Sequence, residues 1–130
     1  MTVRPGETVA IFAHRLRRAR IGAMVVSADG ARVDGIISER DVVHGIAERG
    51  PRCLEMPVSS IMTARVVTCA RGDSVAAVAR VMTERRIRHL PVVDGAGLVG
   101  LVSIGDVVRH RFAEMELEAS VLRDIAMAGL

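Results

Sequence analysis

Apolar residues recur along this chain with a helical period in some stretches and form short continuous runs in others. Recurrence every three or four residues is typical of a helix that buries one face, and a short apolar run between turn residues is typical of a buried strand. The first pattern predicts helices over residues 9–20, from Asp41 to near Gly50, from Val75 past Met82, and from Asp106 to about Met127. The second predicts strands at residues 23–27, 33–38, 66–68, 90–94 and 98–103, with one helical turn at 59–62 inside a connector over 51–65.

The same order of elements occurs twice in the chain. The segment GIISERDVV at residues 35–43 returns as GLVSIGDVV at residues 100–108. An offset of 65–66 residues is too long for a solenoid unit and suits a duplicated half-domain with the order helix, strand, strand, helix. We therefore expect an α/β (α+β) fold with halves at residues 1–58 and 59–130, which bury the apolar faces of their sheets together.

Each copy of the repeated segment ends a strand with serine and places aspartate three residues later, at a helix start. Ser-x-x-Asp before an apolar run resembles a capping box, which needs no ligand. The same geometry suits a nucleotide, because unpaired N–H groups at a helix start favour an anion and a nearby carboxylate can accept ribose hydroxyl groups. The residues alone leave both interpretations open.

With Ile21–Val26 and GIISERD in one copy, and Ile87–Val93 and GLVSIGD in the other, the chain resembles a tandem pair of CBS domains, or Bateman module. The resemblance covers nearly the whole chain and leaves out only the last part of the C-terminal helix. It implies two repeats related by a pseudo-twofold axis, each a small sheet packed by helices. It also implies a stand-alone regulatory module that binds AMP, ATP, NAD(H) or a similar adenosine-containing nucleotide in clefts between the repeats, without catalysis.

The resemblance further implies which residues contact the nucleotide. The two aspartates would bind ribose, the two serines would lie near phosphate, and apolar residues would border the base. Arg40 and His89 would add phosphate contacts, although a solvated arginine and a packed histidine are equally good interpretations. The implied residues are Ser38, Arg40, Asp41, Ile21, Gly22, Ala23 and Met24 in the first repeat, and Val66, Thr68, Ile87, Arg88, His89, Pro91, Ser103 and Asp106 in the second.

The two clefts differ in the segment that precedes each repeat. Residues 61–67 lead into the second repeat, and in the family such a segment supplies one wall of the cleft. Met1 aligns with Val67, so the first repeat lacks the corresponding segment. We therefore expect the cleft at Asp106 to be the more complete of the two.

All 18 basic residues are arginine, which raises the possibility of a nucleic-acid partner, but the net charge is only +3. Single-strand binding also needs aromatic platforms, and this chain has two Phe, no Trp and no Tyr. An arginine-for-lysine bias explains the composition better, so we expect no nucleic-acid partner. The apolar runs are too short for a membrane span and no leader pattern precedes Pro5-Gly6, which together predict a cytoplasmic protein.

The residues that could support catalysis are scattered. The four histidines and the two cysteines have no metal-ligand spacing, and neither serine of the repeated segment lies in a nucleophile elbow. We therefore expect no enzyme activity, no metal and no catalytic cofactor. The C-terminal stripe Met115, Ala119, Leu122 and Ile125 predicts a homodimer, although it could instead pack on an effector protein or on its own module. A ligand-independent dimerisation or scaffold module is the alternative function.

Overall fold

The computed structural model describes residues 1–129, and its elements follow the duplicated order. The first half contains β1 (Thr2–Val3), α1 (Val9–Ala19), β2 (Ala23–Val26), β3 (Gly35–Ser38) and α2 (Glu39–Arg49). Two 3-10 segments follow, at Gly50–Glu55 and Val58–Ser60. The second half contains β4 (Cys69–Ala70), α3 (Val75–Arg85), β5 (His89–Asp94), β6 (Gly97–Ser103) and α4 (Ile104–Met127). The predicted mixed α/β fold with an extended C-terminal helix is confirmed.

Each half forms its own three-stranded sheet with the same topology. The strand orders are β1-β2-β3 and β4-β5-β6, with the first pair parallel and the second antiparallel in both sheets. Val3 pairs with Val26 in one sheet, and Cys69 pairs with Val92 in the other. Because these pairs are related by the same repeat offset, the duplication extends to the register of the strands.

Two of the predicted strands are wrong in position. The strand expected at residues 66–68 is displaced to Cys69–Ala70, because those two residues are the ones that pair with β5. The strand Thr2–Val3 was not predicted, since two residues carry no periodicity, yet it completes the first sheet. The strand expected at 33–38 begins only at Gly35, and the connector forms 3-10 turns at 50–55 and 58–60 rather than one turn at 59–62.

The apolar side chains gather in two clusters rather than in one core shared by both sheets. Phe12, Met24 and Ile37 are fully buried in the first cluster, where the connector residues Cys53 and Val58 pack with them. The second cluster is smaller and is built around Leu90. Its buried members are Cys69, Val78, Met82, Leu90 and Val107. The first half therefore has the tighter core, because its connector folds back over it.

Equivalent helices in the two halves also begin and end alike. Thr8 and Ser74 cap α1 and α3 by accepting hydrogen bonds from the backbone N–H groups of Ile11 and Ala77. Both helices end at an arginine in the left-handed region, Arg20 at φ 56° and Arg86 at φ 54°. Among residues 1–129 these are the only non-glycine residues with positive φ. Such a conformation is uncommon for a residue with a side chain, and the fold requires it at the equivalent position of both halves.

Candidate functional site

The two Ser-x-x-Asp segments form complete capping boxes. The hydroxyl oxygens of Ser38 and Ser103 accept hydrogen bonds from the backbone N–H groups of Asp41 and Asp106, at 3.4 and 3.2 Å. In return, Oδ2 of each aspartate accepts the backbone N–H of its serine at 2.8 Å. The capping interpretation is therefore correct in both halves. A ligand at either helix start can contact only those serine and aspartate atoms that the cap does not already use.

The two aspartates differ in their other carboxylate oxygen. Oδ1 of Asp106 accepts a hydrogen bond from Nη2 of Arg109, one turn further along α4. Within residues 1–129, no hydrogen bond reaches Oδ1 of Asp41. Asp41 thus keeps one acceptor available while its other oxygen holds the helix start.

A cavity of about 310 Å³ lies beside Asp41 and is lined by both halves of the chain. This volume is at the lower end of the range for small-molecule pockets. The lining residues are Gly22, Ile36, Ser38, Glu39, Arg40, Asp41, Thr63, Arg65, Val66, Val67, Arg86, Ile87, Arg88 and His89. Eight of the residues that the resemblance implies therefore share one cavity, and the seven others do not line it.

The connector supplies one wall of this cavity. Thr63 and Arg65 of the connector, and Val66 and Val67 that follow it, line the cavity before the chain enters β4, and Thr63 bridges to Ile36 of β3. The expectation that this segment completes the Asp106 cleft is therefore wrong. Extended backbone here pairs with the strand that precedes α2, so the wall stands beside Asp41, and the Asp41 side has the more complete cavity.

Four arginines and two carboxylates line the cavity. Arg40, Arg65, Arg86 and Arg88 face Glu39 and Asp41, and within residues 1–129 none of these four arginines forms an ion pair. Guanidinium groups left without a carboxylate partner are free to bind an anion, and they favour phosphate because they can donate two parallel hydrogen bonds.

His89 adds a titratable group to the same wall. Burial lowers the pKa of its imidazole from the usual 6.5, and the neighbouring charge of Arg88 lowers the pKa further, while Glu39 and Asp106 act in the opposite direction. The ring lies directly against Gly22, since a Cβ added there would stand in ordinary van der Waals contact with it, 3.6 Å from Nε2 of His89. The imidazole is therefore mainly neutral at pH 7, in a cavity that four guanidinium groups also line.

Several implied residues lie elsewhere. Met24 is fully buried in the first core cluster, and Ala23 and Pro91 are buried as well. Ile21 packs against that same cluster, and Thr68 is exposed before β4. Their side chains pack in the core or lie outside the cavity. Alignment of the two repeats could not distinguish these residues from the neighbouring residues that line the cavity.

Asp106 lines a different hollow, of about 300 Å³, that is mostly apolar. Cys69, Val78, Val92 and Val107 are among its other lining residues, and Ser103 is not. Burial raises the pKa of the Cys69 thiol, so the thiol stays protonated there. This hollow offers no cluster of cations, and Asp106 is already paired with Arg109.

Sequence reasoning missed six cavity residues, namely Ile36, Glu39, Thr63, Arg65, Val67 and Arg86. Glu39 and Ile36 could have been found from their place inside the repeated segment. Arg86 could have been found from its alignment with Arg20. Thr63, Arg65 and Val67 lie in the segment 61–67 that was expected to form a wall, but nothing in the sequence indicated which of its residues line the cavity.

Other kinds of site find little support in the described part of the chain. Across residues 1–129, no three His, Cys, Asp or Glu side chains are grouped closely enough to hold a metal ion. Over the same residues, no helix combines the length and the apolar content that a membrane span requires.

Comparison with protein families agrees with the duplication. The family model described as CBS domain matches residues 1–48 and 58–113. The mitochondrial CBS domain-containing protein CBSX3 of Arabidopsis thaliana is 36% identical over 127 residues, which are 95% of this chain and 62% of the plant protein. This chain therefore spans less than two thirds of that relative's length.

Solved structures show the same architecture. The CBS-domain containing protein ATU1752 from Agrobacterium tumefaciens superposes with a TM-score of 0.81 at 39% identity, covering 85% of this chain and 88% of that chain. The CBS domain pair of protein MJ0100, in complex with 5′-methylthioadenosine and S-adenosyl-L-methionine, superposes with a TM-score of 0.76 at 25% identity. That match covers 84% of this chain and 88% of the other. One similar structure thus holds ligands that contain adenosine.

Proposed function

The chain belongs to the CBS domain family, and from that premise we propose that it is a regulatory module whose Asp41 cavity binds an adenosine-containing nucleotide without catalysis. The observation that carries the proposal is the free Oδ1 of Asp41 in a cavity rich in unpaired arginine. A carboxylate oxygen without a protein partner can accept the hydroxyl groups of a ribose. The adenosine ligands of the MJ0100 structure support the same ligand class.

The remaining lining residues suit the other parts of such a ligand. Ile36, Val66, Val67 and Ile87 offer apolar surface for an adenine ring. Apolar walls with a few placed polar groups are the usual composition of a nucleotide-sized pocket. In this division of roles Ile87 and Val66 of the second half act in the same cavity as Asp41 of the first half. The sequence alone did not indicate that combination.

The charge of the lining indicates the phosphate content of the ligand. Four arginines outnumber the two carboxylates of Glu39 and Asp41, so the cavity favours negative charge. A sulfonium nucleoside would meet like charge there. A second hollow of about 350 Å³ adjoins the first and shares Arg40, Arg86 and Arg88 with it. We therefore favour ATP or another nucleotide with several phosphates over AMP.

The position of the cavity gives binding a means to change shape. Arg40 belongs to α2 of the first half, whereas Arg86 and Arg88 precede β5 of the second half. A polyphosphate that contacts both sides stabilises the arrangement in which the two halves are close. Ligand binding shifts such an equilibrium by its difference in affinity for the two states.

Calorimetric titration with ATP, AMP, adenosine and S-adenosylmethionine tests the proposal. We expect ATP to bind tightest and S-adenosylmethionine weakest, and Arg88→Gln to weaken ATP binding by about tenfold while affecting adenosine little. Arg80→Gln is the matched control, because Arg80 is an exposed arginine of α3 outside the cavity lining. Absence of binding by all four compounds would refute the nucleotide function and would favour the scaffold alternative.

A further inference from the structure

The apolar hollow beside Asp106 has a counterpart in the first half, and there the connector fills the same space. At the repeat offset of 65–66 residues, the apolar lining residues Cys69, Val75, Val78, Val92, Val102 and Val107 correspond to Val3, Val9, Phe12, Val26, Ile37 and Val42. All six first-half residues belong to the core cluster that Cys53 and Val58 of the connector complete or pack against it. Across residues 1–129 no segment covers the second-half residues in this way, so a hollow of about 300 Å³ lies there.

The burial of equivalent residues shows how much the connector covers. Val9 and Val26 of the first half are 0% exposed. Their equivalents in the second half, Val75 and Val92, are both partly exposed. The second half therefore keeps apolar surface accessible at the place where the first half buries it.

The connector is also held by backbone hydrogen bonds beside the start of α1. The N–H of Val9 donates to the carbonyl oxygen of Met56 at 2.9 Å. The N–H of Val58 donates to the carbonyl oxygen of Glu7 at 2.8 Å. The two segments thereby form an antiparallel β-bridge, so the connector is docked as a short extended strand.

The second half presents the same two backbone groups without a partner. Val75 and Asp73 are the repeat equivalents of Val9 and Glu7. Within residues 1–129, neither the N–H of Val75 nor the carbonyl oxygen of Asp73 forms a hydrogen bond. An unpaired donor and acceptor at this spacing are the groups that an added extended segment satisfies.

The ionisable side chains around the hollow are already paired within the chain. The pairs are Arg71 with Asp94, Asp106 with Arg109, and His110 with Glu114. The carboxylate of Asp73 accepts the backbone N–H of Ala70. A neutral segment with apolar side chains suits this lining best, because a charged side chain would be buried there without a partner.

We infer that the hollow beside Asp106 is a docking site for a neutral, extended segment of a partner protein, bound as the connector is bound in the first half. The segment accepts a hydrogen bond from the N–H of Val75 and, two residues later, donates one to the carbonyl oxygen of Asp73. An apolar side chain at this second residue enters the hollow, as Val58 enters the first core cluster. The hollow shares no lining residue with the Asp41 cavity, so the inference is independent of the proposed function.

One difference between the halves limits the length of the docked segment. Cys53 lies directly on Gly45 of α2, because a Cβ added to that glycine would stand 2.6 Å from Sγ of Cys53. The second half has His110 at the equivalent position. A side chain larger than glycine leaves less room there, so the docked segment corresponds to the connector from Leu54 onward.

A peptide that copies the connector tests the site. The probe is acetyl-Leu-Gln-Met-Pro-Val-Ser-amide, which repeats residues 54–59 with glutamine in place of Glu55. Added to the isotopically labelled full chain, it should cause saturable chemical-shift changes at the amide of Val75 and at the methyl groups of Val78 and Val107. The same peptide with N-methylated valine keeps its side chains but loses the N–H that Asp73 accepts, so it should bind about tenfold more weakly. Equal affinities of the two peptides, or no saturable change at Val75, would overturn the inference.

Val75→Pro removes the donor on the protein side. Proline is favoured at the first position of a helix, and Ser74 already has the extended backbone that suits a residue before proline, with φ −71° and ψ 153°. The variant should therefore keep the wild-type urea midpoint and bind the peptide about tenfold more weakly. Val9→Pro is the matched change in the first half and should lower the urea midpoint, because the N–H of Val9 already holds the connector. Unchanged peptide affinity in Val75→Pro would contradict the docking geometry.

Light scattering identifies the kind of occupant. If a partner protein supplies the segment, the mass of the wild-type chain should be the same with and without saturating peptide. A peptide that converts a dimer into a monomer would show that a second copy of the chain fills the hollow, and this result would overturn the assignment to a partner protein.

Discussion

Ile36 and Thr63 exchange two backbone hydrogen bonds, each 2.9 Å long. Through this bridge the connector lies along β3, which ends at the cap of α2. Arg65, at the end of the connector, and Val66 after it then line the Asp41 cavity. The wall of the first half's cavity is thus supplied by the chain that leads into the second half.

Gly35→Ala should disturb this wall. A Cβ at Gly35 would stand 2.5 Å from Sδ of Met62 and 2.9 Å from the backbone oxygen of Thr63. Because a backbone atom cannot move aside as a side chain can, the connector must shift. We expect a loss of about 1–3 kcal/mol in the free energy of unfolding, measured by urea denaturation, and weaker nucleotide binding.

Gly100→Ala is the matched control for that change. Gly100 occupies the equivalent position in the repeat, and an added Cβ would meet nothing within 4 Å. Alanine should therefore be neutral or slightly stabilising there, since glycine weakens a strand interior by about 0.5–1 kcal/mol relative to alanine. Similar losses for both substitutions would show that the connector contact is unimportant.

Asp41→Asn should weaken nucleotide binding by about tenfold, or about 1.4 kcal/mol. Asparagine can still accept the backbone N–H of Ser38 and cap α2, so the loss would report the missing carboxylate charge. Calorimetric titration with ATP measures it. Asp106→Asn makes the same chemical change where Arg109 already occupies the carboxylate, and it should leave the affinity almost unchanged. Equal effects of the two substitutions would refute the assignment of the site to Asp41.

Nucleotide binding should tighten as the pH falls from about 8 to about 6. In the free protein, burial and Arg88 hold the pKa of His89 below 6.5, against Glu39 and Asp106, so its imidazole is mainly neutral. A bound phosphate favours the protonated ring and raises this pKa, so the complex binds more protons than the free protein. Affinity must then rise as protons become available.

Dissociation constants at the two ends of that range measure the effect. His89→Gln should remove the tightening at low pH, because no other protein group of similar pKa remains in that wall. His110→Gln should retain the dependence, since His110 bonds to Glu114 on α4 and is outside the cavity. An unchanged pH profile in His89→Gln would place the titrating group elsewhere.

Asp106 should contribute to an acid-side loss of stability. The backbone N–H of Ser103, its hydroxyl and the charge of Arg109 lower the pKa of this carboxyl below 3.8. A pKa that is lower in the folded state adds stability above the unfolded value, and that stability is lost as the pH falls through the folded value. Because the side chain is exposed, the contribution is about 1 kcal/mol or less. Urea denaturation of Asp106→Asn should show a shallower loss of stability below about pH 4.

The periodic elements of the fold could be predicted from the sequence, because the buried residues of a helix or a long strand recur at a characteristic spacing. α1 and α3 follow apolar stripes whose buried members include Phe12 and Met82. The two capping boxes could also be predicted, since a cap is a contact between residues three apart. The short strand Thr2–Val3 could not be predicted, because its pairing partner is Val25–Val26 and two residues define no period.

The sequence by itself determined the duplication, the family and the two candidate helix starts, since all three depend on local order and on identity between the copies. Only the tertiary structure decided which start faces a cavity. That choice rests on contacts between residues far apart in the chain: the connector at Thr63 pairs with Ile36, four arginines from both halves converge beside Asp41, and Arg109 occupies Asp106. Residue patterns record which side chains are buried, but the relative position of separate segments depends on packing that no single segment contains.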